Sequence, residues 1–181
     1  MKKAVIIGDG VTKGARSPIL WNACFKYFDI NGEMFAVDVN SKNDLDNFFE
    51  EHLRDSNFIG GAVAAPIKQA VTDYFYKNQN NNFELPTNCF YRGSNNNFVC
   101  LNTDILAAMH SIERNIDINN IESLAILGDG SVGLSLAKHL QNFSLKKTLY
   151  TRNPNKIDIK GYNIHDYEHL FNNLSDYDLI I

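Results

Sequence analysis

Short apolar runs alternate with longer amphipathic stretches from the first residues of this 181-residue chain, and that alternation leaves few folds open. Ala4 to Ile7 reads as a strand, Pro18 to Phe28 as a helix, Met34 to Val39 as a strand and Asp44 to Leu53 as a helix. A strand from Phe58 to Ala64 and a helix from about Pro66 to Tyr76 follow, the proline being tolerated in a first turn. Parallel strands need a long crossover and an amphipathic helix supplies it, so this βαβαβα run predicts a mostly parallel, helix-covered sheet. The Asn-rich stretch Asn78 to Asn82 interrupts the pattern and reads as a surface loop. Cys89 to Arg92 and Phe98 to Leu101, split by Gly93-Ser94-Asn95-Asn96-Asn97, read as a hairpin. Thr103 to Arg114 has helical spacing through Ile105, Leu106, Met109 and Ile112, with Thr103 or Asp104 near the N-cap.

After Asn119-Asn120 the pattern restarts. Leu124 to Leu127 reads as a strand entering Gly128-Asp129-Gly130-Ser131-Val132-Gly133, and a helix runs from about Val132 to Leu140. A G-x-G-x-x-G turn between strand and helix lets backbone N–H groups approach a pyrophosphate, which also gains from the positive end of the helix dipole. The next strand, Thr148 to Tyr150, ends in Thr151-Arg152-Asn153. No carboxylate stands there to grip ribose hydroxyls, as an NAD site or a methyl-donor nucleotide site would have it. A guanidinium can pair with a 2′-phosphate, which favours NADP; an ordinary surface arginine at a strand end is the plain alternative.

Composition excludes several functions. The formal charge is −4 and no basic stripe forms, so nucleic acid is not an expected partner. The apolar run after Lys2-Lys3 stops at Gly8-Asp9-Gly10, too soon for a secretion signal. No stretch approaches the roughly 20 apolar residues of a membrane span. Cys24, Cys89 and Cys100 are scattered, as buried thiols in a reducing compartment are, and the chain reads as cytoplasmic. His165 and His169 alone have a metal-like i,i+4 spacing, without the glutamate of a metalloprotease helix, so no metal site is expected.

In open α/β sheets ligands bind outside the carboxyl ends of the strands. Gly60-Gly61-Ala62-Val63-Ala64-Ala65-Pro66-Ile67-Lys68 carries a strand to its end and delivers an ammonium group there, where a lysine solvated in a helical first turn is the common alternative. Asp104, in Leu101-Asn102-Thr103-Asp104, offers a matching carboxylate. Ser17-Pro18 with Asn22, then Gly60, Val63, Pro66 and Lys68, then Asn88, Asn102-Thr103-Asp104, the glycine turn and Arg152 stand in an order that resembles the shikimate dehydrogenase family from Val5 to Ile181.

The resemblance implies an α/β architecture: a mostly parallel substrate-binding and catalytic domain over residues 1–102, a connecting helix over 103–119 and an incomplete Rossmann-type NADP-binding domain over 120–181. It implies that Lys68 accepts the hydroxyl proton in oxidation and returns it in reduction, that Asp104 binds the hydroxyl and orients the lysine, and that Ser17 and Asn88 hold substrate. Gly128, Gly130, Ser131, Val132, Gly133, Thr151, Arg152 and Asn153 would hold NADP. The implied reaction interconverts 3-dehydroshikimate and shikimate, or a related ring hydroxy acid, on the way to aromatic amino acids, in a monomer or homodimer. A tuned lysine can do the proton transfer that hydride removal from a secondary alcohol demands.

Departures from the family pattern are specific. Only Ser17 of two serines remains, with Ala15 before it; Ala62 and Ala64 stand where the family has polar substrate contacts; Trp21 replaces a histidine. A site built to hydrogen-bond a polyhydroxylated ring loses discrimination when those groups go, so a degenerate, non-catalytic ligand-binding relative is the alternative. The residues after Asn120 suffice for about three strands, against six in a dinucleotide fold, and Tyr177 to Ile181 is an apolar strand, so the chain reads as part of a longer one.

Overall fold

The computed structural model describes residues 1–76 and 86–181, so the Asn78 to Asn82 loop lies outside the described residues. The chain divides into two compact units, residues 1–103 and 104–181.

In the first unit, β1 (Lys2–Gly8), β2 (Gly32–Asp38), β3 (Phe58–Val63), β4 (Cys89–Arg92) and β5 (Phe98–Leu101) form one sheet in the order β2-β1-β3-β4-β5. β1 pairs parallel with β2 and β3, and β3, β4 and β5 pair antiparallel through the hairpin. The helices are α1 (Val11–Gly14), α2 (Ser17–Tyr27), α3 (Lys42–His52) and α4 (Lys68–Tyr76). Ser41 caps α3 by accepting the Asp44 N–H at 3.1 Å. Alternate strand residues Val5, Ile7, Phe58, Val63 and Phe90 are buried with Leu45, Phe48, Phe49 and Val71 from α3 and α4. The core is ring on ring: Phe49 lies 4.6 Å from Tyr74, 4.8 Å from Phe75 and 5.5 Å from Phe90, centroid to centroid. Gly60, at φ +129°, and Gly61 let strands close up, since a Cβ on the first would overlap the Phe90 carbonyl oxygen and on the second that of Val5. Arg92 ties the hairpin down, donating to the carbonyls of Phe58, Leu53 and Asp55 while its guanidinium lies 4.5 Å over the Phe98 ring.

α4 starts at Lys68, not at Pro66. Residues 65–67 form a turn after the cis Ala65–Pro66 bond, and the Val71 N–H donates to the Ile67 carbonyl at 3.0 Å, so Lys68 is the first helical residue.

The second unit contains α5 (Thr103–Asn115) from Asp104 onward, β6 (Ser123–Leu127), α6 (Ser131–His139), β7 (Lys146–Tyr150), β8 (Asn163–His165), α7 (Tyr167–Asn172) and β9 (Leu179–Ile180). Its four strands are all parallel in the order β8-β7-β6-β9, one strand more than the length of this segment suggested. β8 adds only one apolar residue, Ile164, and its register comes from backbone pairing with β7. Ile105, Met109, Ile112, Leu124, Ile126, Leu136, Leu140 and Leu149 form an aliphatic core. Lys147 is buried because its ammonium donates to the carbonyls of Gln141 at 2.9 Å and Phe143 at 2.5 Å, just past α6. Among the described residues no helix is long and apolar enough to cross a membrane.

Candidate functional site

The first unit's sheet changes direction between β1 and β3, which puts its crevice at their carboxyl ends. There the Ala64 N–H donates to the Ile7 carbonyl at 2.8 Å, and a Cβ on Gly8 would come within 2.7 Å of the Ala64 methyl. The strand ends are therefore bare backbone and methyls. Lys68 is half-buried at the start of α4, after β3; Ser17, also half-buried, starts α2, after β1. No side-chain cap occupies the N-terminus of α2.

Two long-range contacts shape this mouth, and neither is visible in the local sequence. Asp38, at the end of β2, accepts the Thr12 N–H at 2.9 Å and its hydroxyl at 2.5 Å, fixing α1 on the path to Ser17. The Thr12 hydroxyl holds the Asp38 carboxyl below the usual carboxylate range. Asn88 joins three segments: its carbonyl accepts the Val63 N–H at 2.8 Å, its N–H donates to Leu101 at 3.0 Å, and its side-chain oxygen accepts the Thr103 N–H at 2.8 Å. Its amide also donates to the Thr103 hydroxyl at 2.9 Å, so the predicted substrate residue Asn88 is at once the cap of the helix whose next residue is Asp104. Asn102 is buried and donates to the Pro86 carbonyl at 2.7 Å. All three thiols are free, and burial pushes Cys100 up to about 12, which leaves it protonated and inert.

In the second unit, counting from β6, the strand order is 3-2-1-4, and the direction changes between β6 and β9. The three glycines of the turn do three different things. Gly128 takes φ +108°, which an L side chain rarely adopts, and its N–H donates to the Tyr150 carbonyl at 2.8 Å. Gly130 precedes α6 without a side-chain cap, and a Cβ there would meet nothing within 4 Å. Gly133 passes so close to Gly128 that a Cβ would overlap its carbonyl oxygen. The first turn of α6, which includes Ser131 and Val132, carries no acidic residue and has no side-chain cap.

Thr151 is fully buried; its hydroxyl accepts the Asn153 N–H at 3.1 Å and its N–H donates to His165 at 3.0 Å, which turns Arg152 and Asn153 outward. An uncapped helix start, an open Gly130 and a guanidinium in place of a carboxylate fit a phosphorylated dinucleotide. Residues that sequence reasoning missed lie beside this turn. The Tyr167 hydroxyl is 3.8 Å from where a Gly128 Cβ would stand, and the Tyr150 hydroxyl shares hydrogen bonds with Tyr177 at 2.7 Å and His169 Nδ1 at 3.2 Å. His165 and His169 stack ring on ring, 3.9 Å apart and 6° from parallel, so their lone pairs do not converge on one point. Among the described residues no three His, Cys, Asp or Glu side chains gather to hold a metal.

Residues 6–82 match the sequence model of the shikimate dehydrogenase substrate binding domain. No curated protein matches the chain in sequence. The shikimate dehydrogenase of Aquifex aeolicus superposes with a TM-score of 0.71 at 19% identity, over 99% of this chain and 67% of that one. A chorismate mutase/shikimate 5-dehydrogenase fusion protein from Clostridium acetobutylicum gives 0.73 at 20%, over 95% and 64%. The shikimate 5-dehydrogenase of Thermus thermophilus, solved with NADP(H) and shikimate, gives 0.64 at 18%, over 86% and 58%. The chain thus spans 58 to 67% of the length of these three and shares their fold.

Proposed function

We propose that this chain, whose residues 6–82 match the model of the shikimate dehydrogenase substrate binding domain, is a shikimate-type oxidoreductase that interconverts a ring ketone and a secondary alcohol on a small carboxylate, with NADP as cofactor. One observation carries the reading: Lys68 opens α4 just beyond the β1–β3 crevice, and Asp104 follows the residue that Asn88 fixes. Bound NADP+ supplies the acceptor for the hydride that leaves the carbinol carbon. Lys68 takes the hydroxyl proton as the C–O bond gains double-bond character, and returns it in reduction. Asp104 binds the same hydroxyl and orients the lysine. Ser17, at the positive end of α2, receives the substrate carboxylate, and Asn88 donates to the ring. In the second unit the Gly128–Gly133 turn and α6 take the pyrophosphate, and Arg152, turned outward by Thr151, pairs with the 2′-phosphate.

A degenerate ligand-binding relative is the second reading, and Ala15, Ala62 and Ala64 favour it by replacing polar contacts with methyls. NADPH oxidation with 3-dehydroshikimate and related ring ketones separates the two. Lys68→Ala is expected to lower kcat by about 10²-fold or more with the far-UV spectrum unchanged. Equal turnover in wild type and Lys68→Ala removes the lysine from the mechanism, and no turnover with any ring ketone selects the binding reading.

A further inference from the structure

The two faces of the first unit's sheet are unequally covered. Val5, Ile7 and Val63 point into the aromatic core with α3 and α4, whereas on the other face α2 lies chiefly over β2. Beside α2 an open-mouthed cavity of about 250 Å³ remains, walled by Ala4, Trp21, Phe25, Gly61, Ala62 and Tyr91. Its floor is low because Ala4, Gly61 and Ala62 put almost nothing above the sheet, and its sides are aromatic rings. Among the described residues no charged side chain lines it, and burial pushes up the thiol of Cys89, which does line it. An apolar cavity of about 150 Å³ holds a benzene ring, so this one has room for a six-membered ring with a substituent.

The cavity runs along the strand that leads to Lys68. Ala62 lies two residues before Ala64 at the strand mouth, and Trp21 lies one helical turn after Ser17, on the same side of α2. We propose that this cavity binds the apolar ring of a small carboxylic acid, aromatic or alicyclic, whose carboxylate points to the Ser17–Lys68 mouth. The proposal rests on the dehydrogenase reading only in that orientation. It names a ligand class different from a compact ring covered in hydroxyls, which this cavity cannot satisfy with hydrogen bonds.

Trp21 is the single tryptophan of the chain and is half-exposed on the cavity rim, so its emission reports occupancy without cofactor and without turnover. Titration of the full chain with benzoate and with cyclohexanecarboxylate is expected to give a saturable blue shift in the millimolar range or tighter, with shikimate about tenfold weaker. Ala62→Leu, which fills the floor, is expected to weaken benzoate by about tenfold, and Tyr91→Ala, which removes a wall, by several-fold. No saturable change with either acid overturns the proposal, as does unaltered benzoate affinity in a folded Ala62→Leu protein; where that variant does not fold, unaltered affinity in Tyr91→Ala overturns it. Benzoate binding without any dehydrogenase turnover rejects the activity alone, and turnover without a benzoate response rejects the cavity site alone.

Discussion

Rings hold the first unit together and aliphatic chains the second. Phe48, Phe49, Phe58 and Phe90 meet on one face of a sheet that is parallel on one side and antiparallel on the other, while Leu124, Ile126, Leu136 and Leu149 fill a sheet that is parallel throughout. The glycines divide in the same way. Gly60 and Gly61 lie inside a strand, where neighbouring backbone presses on them, and lower the floor beside α2; Gly128 bends the turn at a positive φ, Gly130 leaves open space before α6, and Gly133, inside α6, lets the helix close on the Gly128 carbonyl. The lesson is that one residue type makes an apolar floor in one unit and the turn before an uncapped helix in the other. The difference is set by whether the glycines sit within paired strands or at the junction of a strand and a helix.

The largest expected effect separates the two cores. Phe49 is fully buried against the rings of Phe48, Tyr74, Phe75 and Phe90, so Phe49→Ala is expected to cost about 3–5 kcal/mol, read as a lower urea midpoint of Trp21 fluorescence. Exchange protection of the Leu124 and Ile126 amides in the second unit is expected to survive. If that protection collapses with the Trp21 signal, the two units unfold as one body and the contrast between their cores has no thermodynamic meaning.

A smaller effect sharpens the contrast between glycines. Gly133→Ala drives a methyl into the Gly128 carbonyl and is expected to cost about 1–3 kcal/mol in the second unit. Gly130→Ala meets open space at an ordinary φ of −69°, so its stability cost is expected to stay below about 1 kcal/mol, and the rise in melting temperature expected from the proposed NADP+ binding should disappear. Equal stability loss in both variants, or an undiminished NADP+ shift in Gly130→Ala, removes the proposed pyrophosphate site.

The same contrast explains what the sequence made legible. The hairpin over Cys89–Arg92 and Phe98–Leu101 appears with the expected bounds because turn residues and β-branched or aromatic runs act locally. The G-x-G-x-x-G turn likewise sits between strand and helix as its spacing demands. By contrast β8 and α7 escaped notice, since Asn163-Ile164-His165 has no alternation to read and owes its place to pairing with β7. The start of α4 shifted by two residues because the turn at 65–67 is a feature of backbone geometry rather than of hydrophobic period. At the candidate site, residue types such as Lys68 and the glycines could be read one by one. The hold of Asp38 on Thr12 and of Asn88 on Thr103 could not, because those partners are 26 and 15 residues apart and only the folded sheet brings them together.

The smallest expected effect concerns acid. In the first unit Asp38, Asp44 and Asp55 are held below their ordinary range by hydrogen bonds, chiefly from the Thr12 hydroxyl, the Ser41 hydroxyl and the Lys3 ammonium, respectively. In the second unit Asp178 is so held, by the N–H groups of Glu122 and Ser123 and the Ser123 hydroxyl. A carboxylate lowered in the folded chain adds stability above its unfolded value, near 3.8, and loses that stability as pH falls through the folded value. Between about pH 5 and pH 3 the Trp21-detected transition is therefore expected to fall more steeply than exchange protection in the second unit. All four carboxylates are solvent-accessible, so added salt should flatten the slope of the Lys3–Asp55 pair more than that of Asp178, whose partners are uncharged. Asp178→Asn should leave the Trp21 slope untouched and flatten only the second unit's, whereas a change in both slopes would mean that the boundary between residues 103 and 104 does not divide the molecule energetically.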